Sequence, residues 1–396
     1  MNRYQTYLGL IGYLFIGTAV ILMPSVMPSI TKEFTAAGMT LAAIGVIFPA
    51  REMGSLLGNF LSGIGSDLVG RRRLVWLAAL LLAGALSVAA MLHLWPLFVA
   101  AFVLVSAAQA SLSTGINAMI ADANRESRAR ALNTLHGVYG VGAAISPLVI
   151  GFFLERGLQW RWALTGISVI WLVYGLVVWL SYRIATPEAK SGQTRKLDLS
   201  MLRQGPFFAL FVIAFTYNGV AWSLLGWIAV FMQQSAGFST LLSVSMISVF
   251  YVALTIGRFL CAAYAEKVGY ATILLVLAVG ITLTYPFVVL GTPLLVAVGV
   301  FLTGLSLSGL FPTALAYGSR LYPEQTGTVT GTLSVAMTFG SMAPPLWTGI
   351  IADRWSFQTA LGVNYLMVLP LIFIALYLGR SELRHRQQAV VTAATQ

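Results

Sequence analysis

The chain has 396 residues, 58% of them hydrophobic and only 9% charged, with a mean hydropathy of +0.86. A soluble domain carries about 25% charged residues, so this composition excludes a water-covered globule and requires lipid as solvent. The formal net charge of +11 invites a nucleic-acid reading, which the placement of the basic residues removes.

Each membrane span needs roughly 20 apolar residues. In chain order the apolar runs fall at about 7–29, 40–66, 74–92, 95–121, 131–153 and 161–183, and then at about 206–232, 239–265, 271–291, 294–319, 328–352 and 358–379. The first run is too long for the core of a signal peptide and is followed by further spans, so it is expected to stay as a span. With the N-terminus inside, 17 Lys and Arg fall in inside segments, and only Lys32, Arg156, Arg161 and Arg354 fall outside. This positive-inside bias orients the chain, and the same residues meet anionic lipid head groups. No nucleic-acid partner is needed.

The longest polar stretch, Ala185 to Gly205, holds Glu188, Lys190, Arg195, Lys196 and Asp198. It reads as a cytoplasmic linker between two bundles of six helices, 1–184 and 206–396, the second ending in a short cytoplasmic tail. The expected class is an all-α membrane protein of twelve transmembrane helices.

Residues able to carry chemistry are few. Arg51 and Glu52 lie near the middle of span two, and Arg258 lies in span eight. A charge at mid-bilayer costs about 2.5–3.5 kcal/mol on an insertion scale, so each needs a partner or a watery cavity. Arg51 reads as an anion- or hydroxyl-binding group, Glu52 as a protonatable carboxylate, and both equally as structural ion-pair members. On span four Gln109 and Asn117 share a face with Ser106 and Ser113. That stripe serves either helix packing or solute contact. His136, one and a half turns into span five, either relays protons or bonds a backbone carbonyl. On span seven Tyr217, Asn218, Trp222 and Trp227 combine aromatic faces with an amide, suited to stacking on sugar rings or to an interfacial belt. Thr330, Ser334, Thr338 and Ser341 form a polar stripe on span eleven. The lone cysteine, Cys261, reads as a small core residue, and prolines within spans reach bends whose freed carbonyls neighbours can satisfy.

The halves repeat one another. Gly58, Phe60, Leu61, Asp67, Val69 and Gly70 are answered by Gly257, Phe259, Leu260, Glu266, Val268 and Gly269, at an offset of 199. Gly142, Pro147, Leu148, Gly151, Glu155 and Arg156 are answered by Gly340, Pro345, Leu346, Gly349, Asp353 and Arg354, at an offset of 198. A duplicated membrane protein has a natural binding site where its repeats meet.

The loop Gly63-x-Gly65-Ser66-Asp67-x-x-Gly70-Arg71-Arg72 resembles the motif between spans two and three of the major facilitator superfamily, and Glu266-Lys267-Val268-Gly269 its degenerate copy. The resemblance covers the whole chain in span count, six-plus-six division and repeat. It implies two pseudo-symmetric six-helix bundles working by alternating access, with Gly63, Asp67, Gly70, Arg71 and Arg72 forming a cytoplasmic gate. A narrower likeness joins Arg128-x-Arg130-Ala131-Leu132-Asn133-x-Leu135-His136 and Gly304 to Thr313 to the fucose/glucose–proton symporter branch. That branch carries an acid in span one or four, which the span interiors here lack. In carboxylate-carrying branches an arginine in span eight holds the anion, a role open to Arg258.

These features lead to a secondary active transporter of a small, sugar-like polar solute, probed through Arg51, Gln109, Asn117, Asn218, Trp222 and Arg258 and proton-coupled through Glu52 and His136. An organic-anion carrier using Arg51 and Arg258, and proton-driven efflux of lipophiles, are the alternatives. No nucleotide-binding, metalloprotease or serine-hydrolase motif occurs, so enzymatic activity, cofactors and metals are not expected. A monomer in a bacterial inner membrane, with both termini cytoplasmic, completes the reading.

Overall fold

The computed structural model describes residues 3–124, 128–181, 200–290 and 292–381. Among them there is no β-strand, and twelve spans are long and apolar enough to cross a membrane. The first six are α1 (Arg3–Ala36), α2 with α3 (Leu41–Gly45, Ile47–Val69), α4 (Arg71–Met91), α5 (Trp95–Ala123), α6 (Arg128–Glu155) and α7 (Trp160–Ser181). The second six are α8 (Gly205–Ala236), α9 (Thr240–Val268), α10 (Tyr270–Leu290), α11 with α12 (Pro293–Leu307, Leu310–Leu321), α13 (Thr326–Arg354) and α14 (Phe357–Val368) with α15 (370–381). Most of the expected linker, and the tail beyond Ser381, lie outside the described residues.

Helices outrun the apolar runs that mark them. The 34 residues of α1 reach about 50 Å at 1.5 Å per residue, against roughly 30 Å of hydrocarbon. Its C-terminal end therefore carries Lys32 and Glu33, and α5 similarly extends to bring Asp122 into a helix.

Proline explains where spans break and where they do not. Pro49 and Pro312 are the third residues of α3 and α12, and Pro370 the first of α15. In a first turn the missing N–H removes no helical bond, so each span restarts just ahead of its proline. Pro24 and Pro286 instead sit inside α1 and α10 and strip the carbonyls of Val20 and Thr282 of their helical donors. Side chains from other helices supply substitutes: Arg51 Nη2 lies 3.5 Å from the Val20 oxygen, and the Tyr365 hydroxyl donates to Thr282 at 2.9 Å.

By packing, the chain forms two compact units, Met1–Thr194 with Gly226–Tyr251, and Arg195–Leu225 with Val252–Gln396. The repeated glycines perform the same task in each. In the first unit a Cβ on Gly142 would collide with the Leu14 carbonyl where α6 meets α1, and one on Gly58 with the Ala107 carbonyl where α3 meets α5. In the second, Gly340 lies against the Phe215 carbonyl where α13 meets α8, and Gly257 against Ser308 and Leu305 where α9 meets the α11–α12 span. Glycine at these four points lets backbones touch, the usual basis of helix association in lipid. Cys261 is likewise packed on Gly309.

Candidate functional site

Within the first unit a polar and aromatic cluster gathers side chains from five helices. Tyr13 of α1 is buried, and its hydroxyl lies 2.8 Å from Ser113 Oγ of α5. Asn117, one turn further along α5, donates from Nδ2 to the Tyr13 hydroxyl and to the Ser113 carbonyl, the latter at 2.9 Å. The His136 ring of α6 stands edge-on to Tyr13 with centroids 5.4 Å apart, yet the residue remains exposed. Tyr139, one turn beyond it, packs 6.3 Å from Tyr13 and 6.5 Å from Tyr251 of α9.

Arg51 of α3 joins this cluster electrostatically. It is buried, and its charge interacts with Glu52, Tyr139 and Tyr251. Glu52 is half-buried. Gln109, two turns before Asn117 on α5, is buried and donates from Nε2 to the Ala19 carbonyl at 3.0 Å. The structure thus brings Arg51, Glu52, Asn117 and His136 together around Tyr13, Tyr139 and Tyr251. It sets Gln109 against α1. The three tyrosines carry no distinguishing signal in a sequence rich in aromatics.

The second unit holds a separate group. Arg258 Nη2 of α9 lies 3.4 Å from the Tyr217 hydroxyl of α8, and the Tyr217 ring stacks on Phe311 at 6.1 Å and 18°. Asn218 donates to the Met337 carbonyl of α13 at 2.7 Å, and Trp222 is half-buried. Trp227 belongs to the first unit, where it is fully buried with its ring 5.6 Å from Phe48. The span-eleven stripe is largely self-contained: Thr330, Ser334 and Thr338 each donate to the carbonyl four residues earlier.

At the loop motif, Gly70 has φ +85°, and its repeat Gly269 has φ +98°. Only glycine adopts such angles without strain, which explains its presence at both α3–α4 and α9–α10 junctions. Arg71 forms an ion pair with Asp122 at the end of α5 and donates to the Ala118 carbonyl at 3.3 Å. Arg72 is buried, with its Nη2 and Nε 2.8 and 3.2 Å from the Gln5 side-chain oxygen, the amide being oriented to accept them. Gly63 falls within α3, and the side chain of Asp67 lies outside the described residues. At the offset of 199, Tyr270 takes the place of Arg71, and it faces Arg320, whose guanidinium lies 6.0 Å from its ring. An ion pair in one repeat becomes a cation–π pair in the other.

The opposite end of the first unit carries a second acid that sequence reasoning passed over. Glu33 receives two bonds from Arg161, at 2.5 and 2.7 Å, and one from the Trp160 indole at 2.8 Å. The Arg161 guanidinium also covers the Trp160 ring at 4.3 Å. Nearby, Glu155 accepts the Leu241 N–H in the first turn of α9 at 3.0 Å, satisfying one of that helix's otherwise unpaired donors. No group of three or more His, Cys, Asp or Glu suited to a metal ion occurs among the described residues.

A family model described as the Major Facilitator Superfamily matches residues 9–294. The chain is 26% identical over 365 residues to the uncharacterized MFS-type transporter YfkL of Bacillus subtilis (strain 168), covering 86% of this chain and 87% of the relative. It is 24% identical over 392 residues to the glucose/mannose transporter GlcP of the same organism, covering 94% and 95%. Its fold is similar to the crystal structure of a bacterial homolog to the human lysosomal transporter Spinster, with a TM-score of 0.77, 12% identity, and coverage of 97% and 98%.

Proposed function

This chain belongs to the Major Facilitator Superfamily and is an integral, multi-pass secondary transporter rather than an enzyme, and on that premise we propose that it carries a small, polar, sugar-like solute by proton-coupled alternating access. One observation carries the solute class. The polar cluster of the first unit is built from hydroxyl, amide and imidazole groups on aromatic rings, the materials that bind a hydroxylated ring through hydrogen bonds and stacking. The likeness to a glucose/mannose transporter over nearly the full chain supports the same reading.

In this proposal Asn117 and His136 contact the solute, with Arg51 as a hydroxyl donor. Asn218, Trp222 and Arg258 serve from the second unit. Gln109 contributes from its place on the Asn117 stripe. Glu52 and His136 take up and release the coupled proton, His136 being the imidazole exposed beside Tyr13. The positive-inside bias supports cytoplasmic termini in a bacterial inner membrane, and the Gly63–Arg72 motif then lies on the cytoplasmic side as a gate. The protein works as a monomer. An organic anion fits less well, since Arg51 is engaged with Glu52 and the Val20 carbonyl, and Arg258 with Tyr217.

A thermal-shift screen of the purified protein against hexoses, carboxylates and lipophilic cations tests the solute class. The proposal expects stabilisation by hexoses, lost in Asn117→Leu and weakened in Trp222→Ala. Stabilisation by carboxylates alone would replace it with the anion reading.

A further inference from the structure

Resting on the sugar-like reading above, we infer that the α5 stripe acts toward its solute as a hydrogen-bond acceptor, and that Tyr13 is the positioning residue that takes up the hydrogen Asn117 could otherwise offer. The argument is a count of hydrogens at Asn117. Its amide nitrogen carries two. One is directed at the Tyr13 hydroxyl and the other at the Ser113 carbonyl, 2.9 Å away. A carbonyl can only accept, so the amide cannot be turned the other way at that contact.

With both hydrogens committed, the group that Asn117 has left to offer is Oδ1, which only accepts. Gln109, two turns earlier on the same stripe, is anchored in the same sense, its Nε2 on the Ala19 carbonyl at 3.0 Å. Both amides of α5 therefore turn their nitrogens toward α1 and keep their oxygens for other partners. A solute meeting Asn117 must bring a donor, as a sugar or polyol hydroxyl does. A carboxylate oxygen at the same point would face another lone pair.

Tyr13 sets this arrangement without needing to touch the solute. Its hydroxyl binds both Asn117 and Ser113, and its ring is fixed between His136 and Tyr139. Tyr13→Phe keeps the ring and removes the acceptor, leaving one Asn117 hydrogen free to meet a solute acceptor while the Ser113 carbonyl still holds the other.

The test is inhibition of labelled D-glucose binding to the wild-type full-length protein by the complete sets of monodeoxy and monodeoxyfluoro glucoses. Fluorine replaces a hydroxyl in size and polarity but cannot donate. At one ring position at least, the deoxy and fluoro analogues should lose affinity equally, by about 5- to 10-fold, the worth of a neutral hydrogen bond. In Tyr13→Phe the fluoro analogue at that position, able to accept the freed hydrogen, should bind about 2- to 5-fold better than the deoxy analogue, while the other positions keep their wild-type pattern. A purely structural role for Tyr13 would lower the yield of folded protein and leave the pattern of analogue affinities unchanged. Fluorine tolerated at every position overturns the inference and leaves the sugar-like reading standing. Failure of D-glucose, D-mannose and the wider hexose and polyol series to bind at all overturns that reading and this inference with it.

Discussion

Arg51 lies 3.5 Å from the carbonyl of Val20, the one that Pro24 deprives of its helical donor. A charge in the second span and a proline in the first thus meet in a single repair of the α1 backbone. The contact is long, and the guanidinium also interacts with Glu52, Tyr139 and Tyr251, so Arg51 ties the Pro24 segment of α1 to the polar cluster.

This pairing predicts coupling between the two positions. Arg51→Leu should destabilise the protein strongly, and Pro24→Ala, by restoring the missing N–H, should lessen that loss by about 1 kcal/mol. Thermal melts of the two single variants and the double variant measure it. Strict additivity would separate Arg51 from the Pro24 site.

The repeated glycines predict symmetric damage. Gly142→Ala and Gly340→Ala each force a Cβ into a backbone carbonyl and should cost about 1–3 kcal/mol, in the range of overpacking. Gly84→Ala in α4, where a Cβ would meet nothing within 4 Å, should be neutral or stabilising by up to about 1 kcal/mol. Unfolding midpoints in detergent distinguish the three, and equal effects at Gly84 and Gly142 would contradict the packing argument.

The ion pair between Arg71 and Asp122 predicts rescue by exchange. Asp122→Arg places two cations together and should reduce transport and stability, and adding Arg71→Asp should recover much of both. Because the pair is partly exposed, its contribution to stability alone should stay below about 1 kcal/mol. Uptake by cells expressing each variant, normalised to protein in the membrane, gives the readout.

At the other end, Glu33→Gln keeps the size of the side chain and removes the charge that holds Arg161 and Trp160. A loss of about 1–3 kcal/mol is expected for charge-assisted bonds of this kind, read as a lowered midpoint. Arg161→Lys should recover little by comparison with wild type, since a lysine cannot reproduce the two-point contact.

The spans and their duplication were legible in the sequence because both rest on local pattern. Apolar runs set the helices, and the offsets of 199 and 198 placed Gly58 with Gly257 and Gly142 with Gly340. The partners were not legible. Glu33 and Arg161 are 128 residues apart, and α1 and α5 run further than the apolar runs indicated, which hid Glu33 and Asp122 at span ends. Tyr13 was invisible for a different reason. One tyrosine among 15 gains meaning only from Ser113, Asn117 and His136, which two other helices must bring to it. The repeat likewise gave no sign that the ion pair of Arg71 and Asp122 is answered in the second half by the cation–π pair of Tyr270 and Arg320.

Uptake of labelled D-glucose and D-mannose into proteoliposomes, with and without an imposed proton gradient, tests the proposed transport most directly. Accumulation should require the gradient, and His136→Gln or Glu52→Gln should abolish accumulation while preserving exchange of solute at equilibrium. Accumulation indifferent to the gradient in the wild type, or absence of any hexose movement, would contradict the account.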